Sequence, residues 1–338
     1  MKALVTGGCG FIGSHLVKKL VEKGADVTVV DDLSAGDLTN LHDKGIQFRA
    51  VHPGLIEQFF AKDSSLKNDV IVVTADFVDP SFLQHFVTGE YTHVFHLAAN
   101  PRVEYSVQYP AISTEANLMK TVELLSACRQ MNIEKFVFSS SSAVYGQHND
   151  DIISIEDSSD TNPSSPYGLQ KLACEMFMKQ FSDLYNMNIA ALRFFNVYGP
   201  GCFGDNPYAT AIAAWCDKIT KNEPLRSDGD GNQTRDMVYV EDVAEAMIRF
   251  AYDHKEKGFV VSNVGTNYSL SNNEILGHLR LKFPDISVVN APERPGDVKH
   301  TLASIDRIEK CLNWKPSTSF SEGLLRTLAW WGLNEQDA

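Results

Sequence analysis

The apolar residues of this chain gather into short runs of Val, Ile, Leu and Phe bounded by Gly, Asp or Ser, and stretches with helical apolar spacing lie between them. KALVT (2–6), ADVTVVD (25–31), VIVVTAD (70–76), HVFHLAA (93–99), KFVFSSS (135–141) and IAALRFF (189–195) read as strands buried on both faces. The spacing predicts helices over about 11–23, 111–132 and 167–187. Such alternation is the pattern of β-α-β units, so an α/β fold with a doubly wound parallel sheet is expected. Between Asp31 and Asp76 the chain is longer than one crossover helix needs, which predicts an insertion or an extra strand. After residue 196 the rhythm loosens around GPGCFGDNP and SDGDGNQT, pointing to a smaller mixed C-terminal domain. The expected boundaries are 1–195 with a returning segment near 236–265, and 196–338 for the remainder.

Composition narrows the function. With 338 residues, 43% of them hydrophobic, the chain can bury a sizeable core. A net charge of −13 steers nucleic acid and acidic membrane surfaces away, so an anionic ligand must be held by local donors. The start MKALVTGGCGFIG enters a Gly-rich turn without the apolar core of a secretion signal, and no apolar run approaches a membrane span. A cytoplasmic home is expected. Six Cys without a C-x-x-C pair fit reduced thiols, and no metal site is expected.

Gly7, Gly10 and Gly13 of TGGCGFIGSHL lie between the first strand and the first helix. Glycines there let a pyrophosphate approach the backbone amides at the positive end of the helix. Asp31 ends the second strand, where its carboxylate can accept from ribose hydroxyls and would repel the extra phosphate of NADP. A Rossmann-type NAD site follows, with neighbouring Asp32 as an alternative ribose ligand. The serines of KFVFSSSSAVYG end a buried strand, where ligands bind in such folds. In SPYGLQK, Tyr167 and Lys171 stand four residues apart and share one helix face.

Together, TGGCGFIGSHL, VVDDLSAG, HLAAN, FSSSSAVYG, PYGLQK, LRFFNVYGP, GDGNQTRDMVYVEDV and RPGDVKHTLASI, in that order over essentially the whole chain, resemble the extended short-chain dehydrogenase/reductases. Within them the chain looks most like the UDP-hexose 4-epimerases. The resemblance implies Tyr167 as catalytic acid/base, Lys171 as its cationic partner on the nicotinamide ribose, and Ser141 as the bridge to the sugar 4-hydroxyl. It implies an NAD site built from Gly7, Gly10, Phe11, Ile12, Gly13, Asp31, Asp32, Ser34, Gly36, Asp76, Phe77, Leu97, Ala98, Ala99, Asn117, Ser139 and Phe194 besides the catalytic pair. Asp76 and Phe77 would border the adenine, Leu97 and Ala99 would lie beneath the cofactor, and Asn117 would support the active-site serine. Val103, Ser141, Ser142, Tyr167, Asn196, Arg235, Arg294, Asp297 and Thr301 would hold a nucleotide sugar. Ser142 and Ala143 stand where the related 4,6-dehydratases carry an acidic pair, and no Glu of the decarboxylases is present.

The implied reaction oxidises C4 to a ketone with bound NAD, turns the sugar over, and returns the hydride to the other face. Thr301 replaces the large aromatic of strict hexose enzymes, which leaves room for a 2-acetamido group. UDP-N-acetylglucosamine and its C4 epimer are therefore expected substrates, with UDP-glucose and UDP-galactose beside them. Arg226, Ser227 and Asp228 depart from the apolar residues usual near the nucleobase, and Arg102 keeps UDP-glucuronate open as an alternative. An NAD-sensing binding protein is a remote alternative, since such proteins lose Tyr or Lys. Leu118, Val122, Leu125, Leu172, Phe177 and Phe181 have helical spacing, and in this family these helices pair in a homodimer.

Overall fold

The computed structural model describes the chain except residues 63–69, 148–152, 158–160, 205–209, 293–297 and 334–338. It divides into two compact units. The first comprises Met1–Ser141, Pro166–Arg193 and Ala244–Ser262; the second comprises Ser142–Ser165, Phe194–Val243 and Asn263–Ala338.

Thirteen strands are described: β1 Lys2–Thr6, β2 Asp26–Asp31, β3 Phe48–Val51, β4 Val70–Thr74, β5 His93–His96, β6 Lys135–Ser141 and β7 Ile189–Phe194, then β8 Asn196–Tyr198, β9 Leu225–Asp228, β10 Thr234–Tyr239, β11 Phe259–Val264, β12 Ser269–Ser271 and β13 Val288–Ala291. Eight form one sheet in the order β11-β7-β6-β5-β1-β2-β4-β3. From β3 through β4, β2, β1 and β5 to β6 every pairing is parallel. The chain leaves β1 first toward β2 and later returns beside it as β5, so the winding reverses between β1 and β5. In open α/β sheets that reversal opens a crevice at the strands' carboxyl ends.

The six predicted strands and three predicted helices all appear, the helices as Phe11–Glu22, as a run from Pro110 to Met131, and as Pro166–Tyr185. The extra length between Asp31 and Asp76 holds β3 at the sheet edge. The Pro110–Met131 run contains one π turn, Glu115–Met119, a widening that recurs where a helix bends around a functional site. Val29, Val30, Val72, Val73, Val94 and Phe95 are fully buried at the centre of the sheet. Burying each such side chain contributes about 1.5–3 kcal/mol, which makes the sheet the rigid part of this unit.

In the second unit β12, β10 and β8 form a mixed three-stranded sheet and β13 pairs with β9. Buried Asn263 ties that unit's segments together: its side chain accepts from the Tyr145 hydroxyl and donates to the carbonyls of Ser154 and Ser304.

Candidate active site

The turn after β1 is shaped by what a side chain would strike. Gly7 has φ +71°, and a Cβ there would lie 2.7 Å from the Ala98 amide nitrogen; a Cβ on Gly13 would lie 2.1 Å from the Gly7 carbonyl oxygen. Gly10 caps the helix Phe11–Glu22 without a side-chain hydrogen bond, and the first turn holds no acidic residue. The leading N–H groups of the helix thus lack an anionic partner of their own, the arrangement a pyrophosphate needs. Phe11 and Ile12, half-buried, form that first turn.

Asp31, buried at the end of β2, accepts from the amides of Cys9 and Leu33, each at 2.9 Å. Burial pushes its carboxyl above the ordinary range, while those two amides pull it back. Leu33 reaches its bond in a left-handed conformation, φ +59°, that a leucine adopts only under local constraint. Asp32 is exposed and spends Oδ1 on the amide and hydroxyl of Ser34, so Asp31 is the better placed of the two beside the glycine turn. Gly36 presses against Asp31: a Cβ would lie 3.0 Å from its Oδ2. The residues present fit the adenosine half of NAD.

At the exit of β5, the amides of Leu97 and Ala98 both donate to Thr6. Ala99 follows, half-buried. Asp76 pairs with Lys120 and accepts from the Val78 amide, and Phe77 is buried with its ring edge-on to His96. His96, fully buried, closes a chain of bonds that sequence reasoning missed. Its Nδ1 lies 2.6 Å from the Thr6 hydroxyl and its Nε2 2.9 Å from the Thr121 hydroxyl. Because the Thr121 hydroxyl donates to the Asn117 carbonyl, Nε2 carries the proton and Nδ1 accepts from Thr6. Burial and the charge of Lys171 lower the imidazole to about 3, so it is neutral.

Asn117 lies in the π turn, and its bonds go to the Asn100 backbone and the Gln170 side chain rather than to a serine. Asn117 thereby braces the segment after β5 against the helix Pro166–Tyr185.

That helix carries the candidate catalytic pair. Pro166 opens it where no backbone N–H is missed, and the Tyr167 amide donates to the Ser106 hydroxyl, which in turn donates to the Val103 carbonyl. Val103 itself is exposed. Tyr167 and Lys171 are both buried, on one helix face. The Lys171 ammonium donates to the Ser139 carbonyl at 2.7 Å and stands 4.5 Å from the Phe138 ring centroid and 5.9 Å from that of Tyr167. Burial pushes the Tyr167 phenol up to about 12, opposed by its hydrogen bond with Ser141. Burial lowers Lys171 to about 8. The Ser139 hydroxyl donates to the His96 carbonyl. Tyr167, Lys171, Ser139 and Ser141 are therefore gathered in one place within the first unit.

In the second unit, Phe194 is buried, Ser142 is half-buried, and Asn196 on β8 donates to the Thr301 hydroxyl and the Asp236 carbonyl. Arg235 on β10 donates to the carbonyls of Thr234 and Lys299. Its neighbour Asp236 is buried and accepts from Thr266 twice and from the amides of Asn267 and Ala303. Burial pushes its carboxyl up to about 6. Arg294 and Asp297 lie outside the described residues.

Sequence reasoning also missed a buried ion pair, Arg193 with Glu175, bidentate at 3.0 and 2.7 Å. The signal was available: an Arg inside an otherwise apolar strand, and a Glu four residues beyond Lys171.

The chain is similar to known UDP-sugar 4-epimerases. A UDP-N-acetylglucosamine 4-epimerase from Methanobrevibacter ruminantium, solved with UDP-N-acetylmuramic acid, is 34% identical, with a TM-score of 0.84 over 98% of this chain and 97% of that one. A Thermus thermophilus UDP-glucose 4-epimerase in complex with NAD is 31% identical, with a TM-score of 0.82 over 98% and 99%. A UDP-glucuronate 4-epimerase of Thermodesulfobacterium geofontis is 31% identical across 97% of this chain and 95% of its own length. Residues 3–265 match the model of the NAD-dependent epimerase/dehydratase family, and to that family, enzymes whose cofactor is NAD, this chain belongs.

Proposed function

We propose that the protein interconverts UDP-sugars at C4, with a UDP-N-acetylhexosamine preferred and UDP-glucose and UDP-galactose also accepted. The observation that carries this reading is the buried Tyr167–Lys171 pair with Ser141 hydrogen-bonded to the phenol, in the same unit as an uncapped glycine turn. When bound, NAD supplies the reversible hydride acceptor at C4 and a second positive charge beside the phenol. Gly7, Gly10, Gly13 and Asp31 would hold its adenosine diphosphate half, and Lys171 its nicotinamide ribose.

The chain's own groups manage the proton. Tyr167 Oη takes the C4 hydroxyl proton, directly or through the Ser141 hydroxyl, and later returns it. From about 12, work near neutral pH asks for about five units, or ~7 kcal/mol, of extra phenolate stabilisation. The Lys171 ammonium, 5.9 Å from the centroid of the phenol ring, supplies part of it. A bound oxidised nicotinamide would add to it.

Residues 1–195 with the returning segment act as the NAD-binding part and 196–338 mainly as the sugar-nucleotide part. Arg235 and Asn196, with Arg294 and Asp297, would grip the diphosphate and ribose, and Val103, Ser141 and Ser142 would line the sugar. Thr301 spends its hydroxyl on Asn196 and the Asp236 amide and presents no bulk, which supports a 2-acetamido substrate. The glucuronate reading keeps support from the T. geofontis relative. Val107, Ile112, Met119, Leu169, Met176 and Leu184 expose apolar side chains on the first unit's helices, the surface by which we expect two copies to pair. No helix among the described residues is long and apolar enough to cross a membrane, and a cytoplasmic place of action fits the reading.

Incubation without added cofactor with UDP-N-acetylglucosamine, UDP-glucose and UDP-glucuronate in turn, products resolved by proton NMR, tests the assignment. Fastest conversion of the N-acetylated sugar, lost selectively in Thr301→Tyr, is expected; exclusive conversion of the uronate would replace it with the second reading.

A further inference from the structure

The helix Pro166–Tyr185 does more than present Tyr167 and Lys171 at a four-residue interval. Glu175 continues the row by another four residues, and all three side chains are buried. Each member engages a different serine at the end of β6. Tyr167 bonds with Ser141, Lys171 donates to the Ser139 carbonyl, and Glu175 Oε1 accepts from the Ser140 hydroxyl at 2.5 Å. A shift of the helix along the strand by one residue would break all three bonds together. Arg193 holds Glu175 from the opposite side with two hydrogen bonds, and both side chains of the pair are 5% exposed.

An ion pair that deep seldom adds net stability, because desolvation of two charges consumes the Coulombic gain and an apolar pair would serve as well. A reason besides stability is therefore required, and Lys171 supplies it. Its ammonium is buried 2.7 Å from one carbonyl, and the charged and titratable groups around it are few. His96 on β5 is neutral; Cys174 is a neutral thiol, pushed up to about 11 by burial; burial likewise pushes the Tyr167 phenol up to about 12, and it carries no positive charge in either form. Burial lowers Lys171, and Cys174 and then Glu175 oppose it; because burial keeps the Cys174 thiol neutral, Glu175 is the anion of the two, and Arg193 on β7 is directed at that carboxylate.

We propose that Glu175, clamped by Arg193, is a positioning residue: it locks the catalytic helix in register on β6 through Ser140 and keeps the Lys171 ammonium charged beside the phenol. The role in turnover rests on the epimerase reading; the effect on Lys171 does not. Replacement of Glu175 by Gln keeps an acceptor for Ser140 and removes the charge.

The test follows the Lys171 ε-carbon in NAD-loaded protein labelled with ¹³C-lysine, its NMR signal identified by loss in Lys171→Met, as pH is raised. In Glu175→Gln the midpoint falls by about one unit or more, a tenfold loss of proton affinity. The alkaline limb of the kcat profile moves with it. Glu175→Asp, which keeps the charge, leaves the midpoint within about 0.3 unit of wild type although kcat declines. An unmoved midpoint in Glu175→Gln, or an equal fall in Glu175→Asp, overturns the proposal. Should Glu175→Gln fail to fold, Glu175→Leu/Arg193→Met carries the same reading, a lowered midpoint supporting it and an unmoved one overturning it. Absence of turnover in wild type would overturn the epimerase assignment and leave the Lys171 titration to decide this inference.

Discussion

The end of β6 with its helix, and β10 with the segment around Thr301, are built in opposite ways. On β6, three consecutive serines meet three side chains spaced four apart on one helix, and nearly every polar group is buried and matched to a charge or a dipole. Around β10, half-buried side chains are held by distant residues: Arg235 by the Lys299 carbonyl 64 residues away, and Asn196 on neighbouring β8 by the Thr301 hydroxyl 105 residues away. Proton transfer demands fixed distances and a shifted phenol, which only a dry, over-determined site provides. Recognition of a flexible ligand tolerates, and in an epimerase that turns its sugar over requires, a less rigid grip.

The largest expected break of this contrast is Tyr167→Phe. Removal of one oxygen from the first region lowers kcat by about 10³-fold or more with the melting temperature nearly unchanged, as steady-state assay and calorimetry would record. A residual rate within tenfold of wild type would mean that another group carries the proton. Gly13→Ala attacks the same region through its backbone. With a Cβ 2.1 Å from the Gly7 carbonyl, neither atom can yield cheaply, so the purified protein should lose its bound NAD and about 2 kcal/mol or more of stability in urea unfolding.

His96 gives a pH signature to the first region alone. Its folded imidazole is depressed to about 3, against about 6.5 unfolded. The unfolded chain therefore binds more protons between those values, and stability is full above pH 6.5 and lost as pH falls. Between pH 7 and 5 this group accounts for about 2 kcal/mol, a loss that His96→Gln should abolish in denaturant titrations at the two pH values. The smallest effect belongs to the second region. Thr301→Val removes an acceptor from Asn196 while the Asp236 amide keeps the Thr301 backbone carbonyl, so KM should rise severalfold and kcat stay within about twofold. A large fall in kcat instead would show that both regions are equally rigid.

The same contrast explains what the sequence could reveal. β1, β2, β4, β5, β6 and β7 announce themselves as apolar runs, because strands buried on both faces need them. Tyr167 and Lys171 are legible because a local interval places them on one face. β3 is only half legible: as an edge strand its Arg49 and Ala50 are exposed and the apolar run is broken. The π turn around Asn117 and the tautomer of His96 depend on partners from other elements, so no local period encodes them; the four-residue interval from Lys171 marks Glu175 but not its pairing with Arg193. Arg235 and Thr301 were found only through family motifs, since their neighbours are set by long-range bonds across loops.

The central claim, proton transfer by Tyr167 with hydride returned to the same carbon, is tested most directly by running the UDP-sugar reactions in heavy water without added NAD. The account predicts the C4 epimer with its C4 proton fully retained in wild type, and no epimer in Tyr167→Phe. Deuterium at C4 of the product, or no epimer from any UDP-sugar, would contradict it.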